Sequence, residues 1–121
     1  VNLGLVAGVL GAIGVAAGAF GAHALRDRLD ATSLAAFETG ARYHLLHALA
    51  AVAATTWAGS GGGVIARRAG WLFVAGVLVF AGTLYGVALG GPRWLGAITP
   101  VGGLAFIAGW LMLGWSFRER R

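Results

Sequence analysis

The chain contains no cysteine. That excludes disulfides, thiolate metal centres and a cysteine nucleophile, and it leaves the redox compartment open. Charge is scarce as well: Asp, Glu, Lys and Arg together make 11% of the residues, and the nine basic ones are all arginine. A stripe of basic residues interleaved with aromatics, the pattern that holds single-stranded nucleic acid, is missing, so no nucleic-acid partner is expected. There is no nucleophile elbow and no phosphate-cradling loop before a basic residue. The few carboxylates sit at the surface, which leaves any acid–base chemistry to the histidines. The chain is therefore read as not an enzyme, and no cofactor is expected.

What abounds is apolar. Hydrophobic residues make up 59% of the 121, too many for a domain whose main solvent is water. Four stretches, 3–22, 41–58, 70–90 and 95–117, are each close to the roughly 20 residues a helix needs to cross about 30 Å of hydrocarbon. The predicted fold is an all-α integral membrane protein with a single membrane domain over 1–121. It is a bundle of four transmembrane helices with a short surface helix, 32–39, between the first and second. Ala22, His23 and Ala24 have the form of a signal cleavage site, but the first run lacks a basic leader and is long for a signal core, so it is expected to remain as a span.

The lipid bilayer is then the first partner, and the location a multi-pass protein of the cell membrane, plasma or inner. Four spans place both termini on one side, together with the flexible "GSGGG" link at 59–63 and Arg67, Arg68, Arg118, Arg120 and Arg121. The opposite side holds Arg26, Arg28, Arg42 and Arg93. Five arginines against four put the termini in the cytoplasm by the positive-inside rule.

Glycine recurs through the first, third and fourth spans. Wound at 100° per residue, Gly4, Gly8, Gly11, Gly14, Gly18 and Gly21 share an arc of roughly 140° on the first span, with Leu5, Val6, Val9, Ile13 and Phe20 opposite. Lipid gives helices no hydrophobic drive to associate, so close backbone contact along small residues supplies packing energy, and this face is expected to meet another helix. Gly82, Gly86 and Gly90 repeat the device in the third span; Gly102, Ala105 and Gly109 do so in the fourth. Packing within one bundle is the first reading of these faces, and a homo-oligomer joined through them is the second.

Between the first two spans, Asp30, Thr32 and Ser33 are candidate N-caps for a surface helix. Gly40 either ends that helix or lets it run on into the second span. Glu38 and Arg42, four apart, suit an exposed pair worth about 0.3–0.5 kcal/mol. "GGPR" at 90–93 is a tight turn that makes the third and fourth spans neighbours. Pro100 denies Gly96 a hydrogen bond, so it either kinks one continuous helix or, with Thr99 as N-cap, starts a shorter one. In the second case the segment 94–98 is broken and needs partners inside the protein, a device common at solute sites.

"ETGARYHLLHALAAVA", 38–53, carries the polar groups that matter most. Arg42 snorkels to the headgroups, His44 lies about one turn in, and His47 is roughly 9 Å deep. Tyr43 and His47 share a stripe. His44 and His47, about 60° apart on the wheel, have the spacing of two metal ligands, but a full site needs more, and His23 is the remaining histidine. Haem between His23 and His47 has less support still. The favoured reading makes each histidine neutral and bonded to a neighbouring helix or to water, with no metal site.

"GAFGAHAL" (18–25), "TGARYHLLHALA" (39–50), "FAGTLYGVAL" (80–89) and "ITPVGGLAFIAGW" (98–110) resemble the small membrane family known as domain of unknown function 423. That group is also described as transmembrane-protein-256-like, or uncharacterised protein family 0382. The resemblance covers most of the chain with its blocks in order; it implies a multi-pass membrane protein and carries no activity with it. The matching polar positions are His23, Thr39, Tyr43, His47, Tyr85, Thr99 and Pro100, to which the residues themselves add His44. A structural, assembly or accessory role leads. The alternative is a transporter or channel for a small solute or protons, lined by His23, Tyr43, His47 and the Thr99–Pro100 break, although the first span has no carboxylate of the kind four-span exporters place there.

Overall fold

A computed structural model describes residues 2–118; Arg120 and Arg121, counted in the charge balance above, lie outside them. Among the described residues, three helical runs are long and apolar enough to cross a membrane: α1 (Leu3–Leu25), α2 (Ala31–Ala88) and α3 (Leu95–Ser116). The side chain of Asn2 caps α1 by accepting from the Leu5 N–H at 3.1 Å. Asp30 caps α2 in the same way through Ser33, at 2.7 Å.

α2 is folded back on itself. Its backbone leaves helical geometry at Gly61 (φ 137°) and Gly63 (φ 63°), values that only glycine adopts without strain. The result is a first arm, Ala31–Trp57, and a return arm, 63–88. The arms lie antiparallel: a Cβ added at Gly70 would meet that of Ala54 at 3.3 Å, and one at Gly40 would meet the Tyr85 ring at 3.0 Å. The number of separate helices thus departs from the predicted four, because the third predicted span continues the second around a glycine turn.

The separate surface helix is also absent. Residues 32–39 are the opening turns of the first arm, and Gly40 sits inside it, buried against Tyr85 and Leu84. A helical glycine costs about 1 kcal/mol against alanine, too little to break a helix that it helps to pack. The "GSGGG" link is shorter than predicted, since helix resumes at Gly63 and carries Arg67 and Arg68 on its exposed side. Pro100 lies inside α3, five residues after its start, so Thr99 is not an N-cap and 94–98 is not a broken segment. So near a helix start the ring removes a single bond, the one its nitrogen would have given to Gly96.

α3 packs against the return arm at glycines, met once by backbone and twice by aromatic rings. The Phe80 backbone crosses Gly102, where a Cβ would stand 2.5 Å from the Phe80 nitrogen; the Phe73 ring lies on Gly109, and the Phe106 ring of α3 fills the space at Gly76. Gly86 accommodates Leu95. On α1 the predicted glycine face needs correction. The buried row is Leu3, Ala7, Leu10 and Gly14, centred about 60° around the helix from the middle of the glycine arc. Gly4, Gly14 and Gly18 do approach the first arm, but a Cβ at Gly8 or Gly11 would meet nothing within 4 Å, and the same is true of Gly82.

Small residues fill the interior, whose largest fully buried side chains are Phe73 and Val77. Bulky ones face outward: Leu5 is 66% exposed, Phe20 73% and Leu111 70%. That is the inverse of a protein packed for water and the arrangement expected where lipid is the solvent.

Candidate functional site

Each buried polar group of the bundle joins two or more helical segments. His44 is held by the first arm of α2 and buried. Its Nε2 lies 2.7 Å from the Leu10 carbonyl of α1, and its Nδ1 lies 2.9 Å from the Tyr85 hydroxyl of the return arm. A carbonyl only accepts, so Nε2 carries the proton, and in the neutral ring Tyr85 donates to Nδ1. The missing side chain at Gly14, where a Cβ would stand 3.1 Å from the His44 ring, makes room for this bond.

One turn further in, the ring of His47 lies flat on Phe106, 3.6 Å between centroids at 11°. Nδ1 donates to the Tyr43 carbonyl at 2.8 Å, and Nε2 faces the indole Nε1 of Trp110 at 3.0 Å. An indole nitrogen only donates. Nε2 must therefore be bare and Nδ1 protonated, which fixes one neutral tautomer and links the first arm to α3. Tyr43 stacks on the same ring at 5.9 Å.

Two further ties complete the set. The Thr83 and Thr99 hydroxyls are 2.6 Å apart, with Thr83 also 2.6 Å from the Val79 carbonyl, in a stretch (Val77–Ala81) where the return arm widens to i→i+5 bonding. Trp57, at the glycine turn, donates to Ser116 at 2.9 Å and stacks on Phe117 at 4.5 Å. Among the described residues, no buried side-chain nitrogen or oxygen lacks a partner.

The predicted site residues accordingly do not converge. Tyr43 and His47 meet; His44 pairs with Tyr85 instead, and Thr99 with Thr83. His23 is exposed on the last turn of α1, Thr39 is half-buried on the first arm, and Pro100 is exposed on α3. Among the described residues, no three His, Asp or Glu side chains are grouped to hold a metal ion. Sequence reasoning missed Trp110, Phe106, the Leu10 carbonyl, Thr83, Trp57 and Ser116. Thr83 and Ser116 carry a usable signal, being polar residues inside apolar runs; the Leu10 carbonyl carries none.

Outside the His47 ring a groove of about 440 Å³ opens sideways between the first arm and α3, walled by Tyr43, Phe80, Phe106 and Trp110. A second groove, of about 370 Å³, lies between α1 and the first arm and bears Glu38 and Arg42.

A family model described as "Protein of unknown function (DUF423)" matches residues 17–103. The chain is 43% identical over 109 residues to "UPF0382 membrane protein SH2409" of Staphylococcus haemolyticus, covering 87% of this chain and 88% of that one. It is 41% identical over 110 residues to "UPF0382 membrane protein YwdK" of Bacillus subtilis, covering 87% and 89%. No solved structure matches it.

Proposed function

Because this chain belongs to the DUF423 family of membrane proteins, we propose that it is a rigid structural or accessory element of the cell membrane that performs no catalysis. It crosses the bilayer four times, once each with α1 and α3 and twice with the folded α2. The termini and the glycine turn face the cytoplasm, on the side of Arg67, Arg68 and Arg118.

The observation that carries this reading is the use of the histidines. Both ring nitrogens of His44 and of His47 are engaged inside the bundle, leaving no lone pair or proton for a solute or a metal. A transport path would need such groups to face water and to exchange partners. The test is flux: proteoliposomes holding the protein are expected to pass neither protons nor small solutes above protein-free vesicles. Flux that His47→Gln abolishes while the melting temperature in detergent stays unchanged would overturn the assignment.

A further inference from the structure

The seam between α1 and the first arm of α2 is closed on its inner side and open on its outer side. Outside, the space over the open glycines is a groove in two stretches that share Leu45. The upper stretch, of about 370 Å³, has Gly18, Ala22 and Ala41 as walls and Glu38 and Arg42 at its mouth. The lower stretch, of about 250 Å³, runs over Gly8 and Gly11 beside Leu49 and Val52. Glu38, Arg42, Leu45, Leu49 and Val52 fall within about 80° on the first arm, so both stretches lie on one side of the seam. From 38 to 52 the arm rises about 21 Å, more than the roughly 15 Å of one leaflet of the hydrocarbon core.

The chemistry of the two stretches differs. The lower one is lined by apolar side chains and glycine backbone alone. The upper one has a guanidinium and a carboxylate, both exposed, with the carboxylate one turn, about 6 Å, nearer the end of the arm and so farther from the membrane centre. An occupant must have an apolar tail, then an anion, then a cation, in that order outward. The geometry points to a site for one phosphatidylethanolamine molecule, with an acyl chain along Gly8 and Gly11, the phosphate on Arg42 and the ammonium on Glu38.

The order of charges distinguishes this lipid from its competitors. An arginine fork takes two phosphate oxygens at once. A primary ammonium has N–H groups to donate to Glu38, whereas choline has none. A glycerol headgroup offers no cation and leaves Glu38 facing the phosphate. α1 is itself altered at the mouth: over Ala16–Gly21 it widens to i→i+5 bonding, and Gly18 lies in that stretch.

A chain without cysteine permits a single Val15→Cys label on the rim of the lower stretch. The bimane-labelled protein is placed in phosphatidylcholine nanodiscs containing nitroxide-chain lipids with ethanolamine, choline or glycerol headgroups. Quenching should favour ethanolamine over choline by up to about fivefold, the scale of one exposed charge pair. Glu38→Gln should erase that preference, and Arg42→Gln should weaken all three lipids. Gly11→Leu, whose side chain enters open space, should abolish the selective quenching with the melting temperature retained. Equal quenching by the three headgroups, a preference for glycerol, or selectivity that survives Glu38→Gln would overturn the proposal. So would two-chain particles that Gly11→Leu converts to single chains, since the groove would then belong to a second copy.

Discussion

The bond between Trp110 and His47, a polar link of 3.0 Å between the first arm and α3, can be measured by a double-mutant cycle. His47→Phe keeps a flat ring over Phe106 and removes the acceptor; Trp110→Phe removes the donor and keeps an aromatic ring. Hydrogen bonds between helices in membranes average about 0.6 kcal/mol and reach about 1.7. A buried donor left without its partner costs about 1–3 kcal/mol, but Trp110 is 46% exposed and can turn its indole, so the single His47→Phe variant should lose about 1–2 kcal/mol. The double-mutant cycle isolates the pair and should give a coupling of about 0.6–1.7 kcal/mol. Unfolding in mixed micelles with increasing denaturing detergent, followed by circular dichroism, provides the four free energies. A coupling below about 0.3 kcal/mol, the level at which separate sites simply add, would refute both the bond and the tautomer derived from it. His47→Gln retains an acceptor and should recover part of the loss.

Glycines that look alike should respond oppositely. Gly102→Ala places a Cβ against the Phe80 backbone and should cost about 1–3 kcal/mol in the same assay, the usual penalty of overpacking. Gly82→Ala meets nothing within 4 Å and should stabilise by up to about 1 kcal/mol through helix propensity; equal losses at both positions would contradict the packing described. At the start of α2, the N–H of Ser33 holds the Asp30 carboxyl below its ordinary 3.8. A lowered folded value means that the cap contributes above pH 3.8 and fades as pH falls through that lower value. Exchange protection of the Ser33 amide should follow that loss in wild type and stay flat across it in Asp30→Asn, which caps without titrating.

The apolar runs made the membrane character and the approximate helix positions legible, because the thickness of a bilayer imposes a length that composition reveals directly. What stayed hidden depends on partners far along the chain. Gly40 could have ended a helix or continued one; the Tyr85 ring, 45 positions later, settles it. Periodicity located the smooth face of α1 but not the seam, because Leu3 and Leu10 help define the buried row and draw it toward one side of the glycine arc. The two histidines were read as one shallow and one deep, yet both are 3% exposed. Helical rise measures depth along the axis, and enclosure depends on which neighbour covers the ring. The partners that cover them, Leu10 and Trp110, are 34 and 63 residues away in sequence.

Packing by glycine and alanine leaves one physical problem that the polar groups resolve. Smooth surfaces approach closely, which maximises dispersion contact, but they resist sliding poorly because few knobs engage holes. Where Phe73 and Phe106 insert over Gly109 and Gly76, the return arm and α3 have such knobs and lock in register. Between α1 and the first arm the knobs are the Phe37 ring, which fills the space at Gly21, and Leu45, which fills that at Gly14. There His44 adds a directional constraint: its bond to the Leu10 carbonyl reaches one particular turn of α1, and its bond to Tyr85 carries the same constraint to the return arm. A slip of one turn would move that carbonyl about 5.4 Å and leave a ring nitrogen bare inside the bundle. Directional bonds thus add specificity to surfaces built from small residues, and His44 is buried where α1 and both arms of α2 meet.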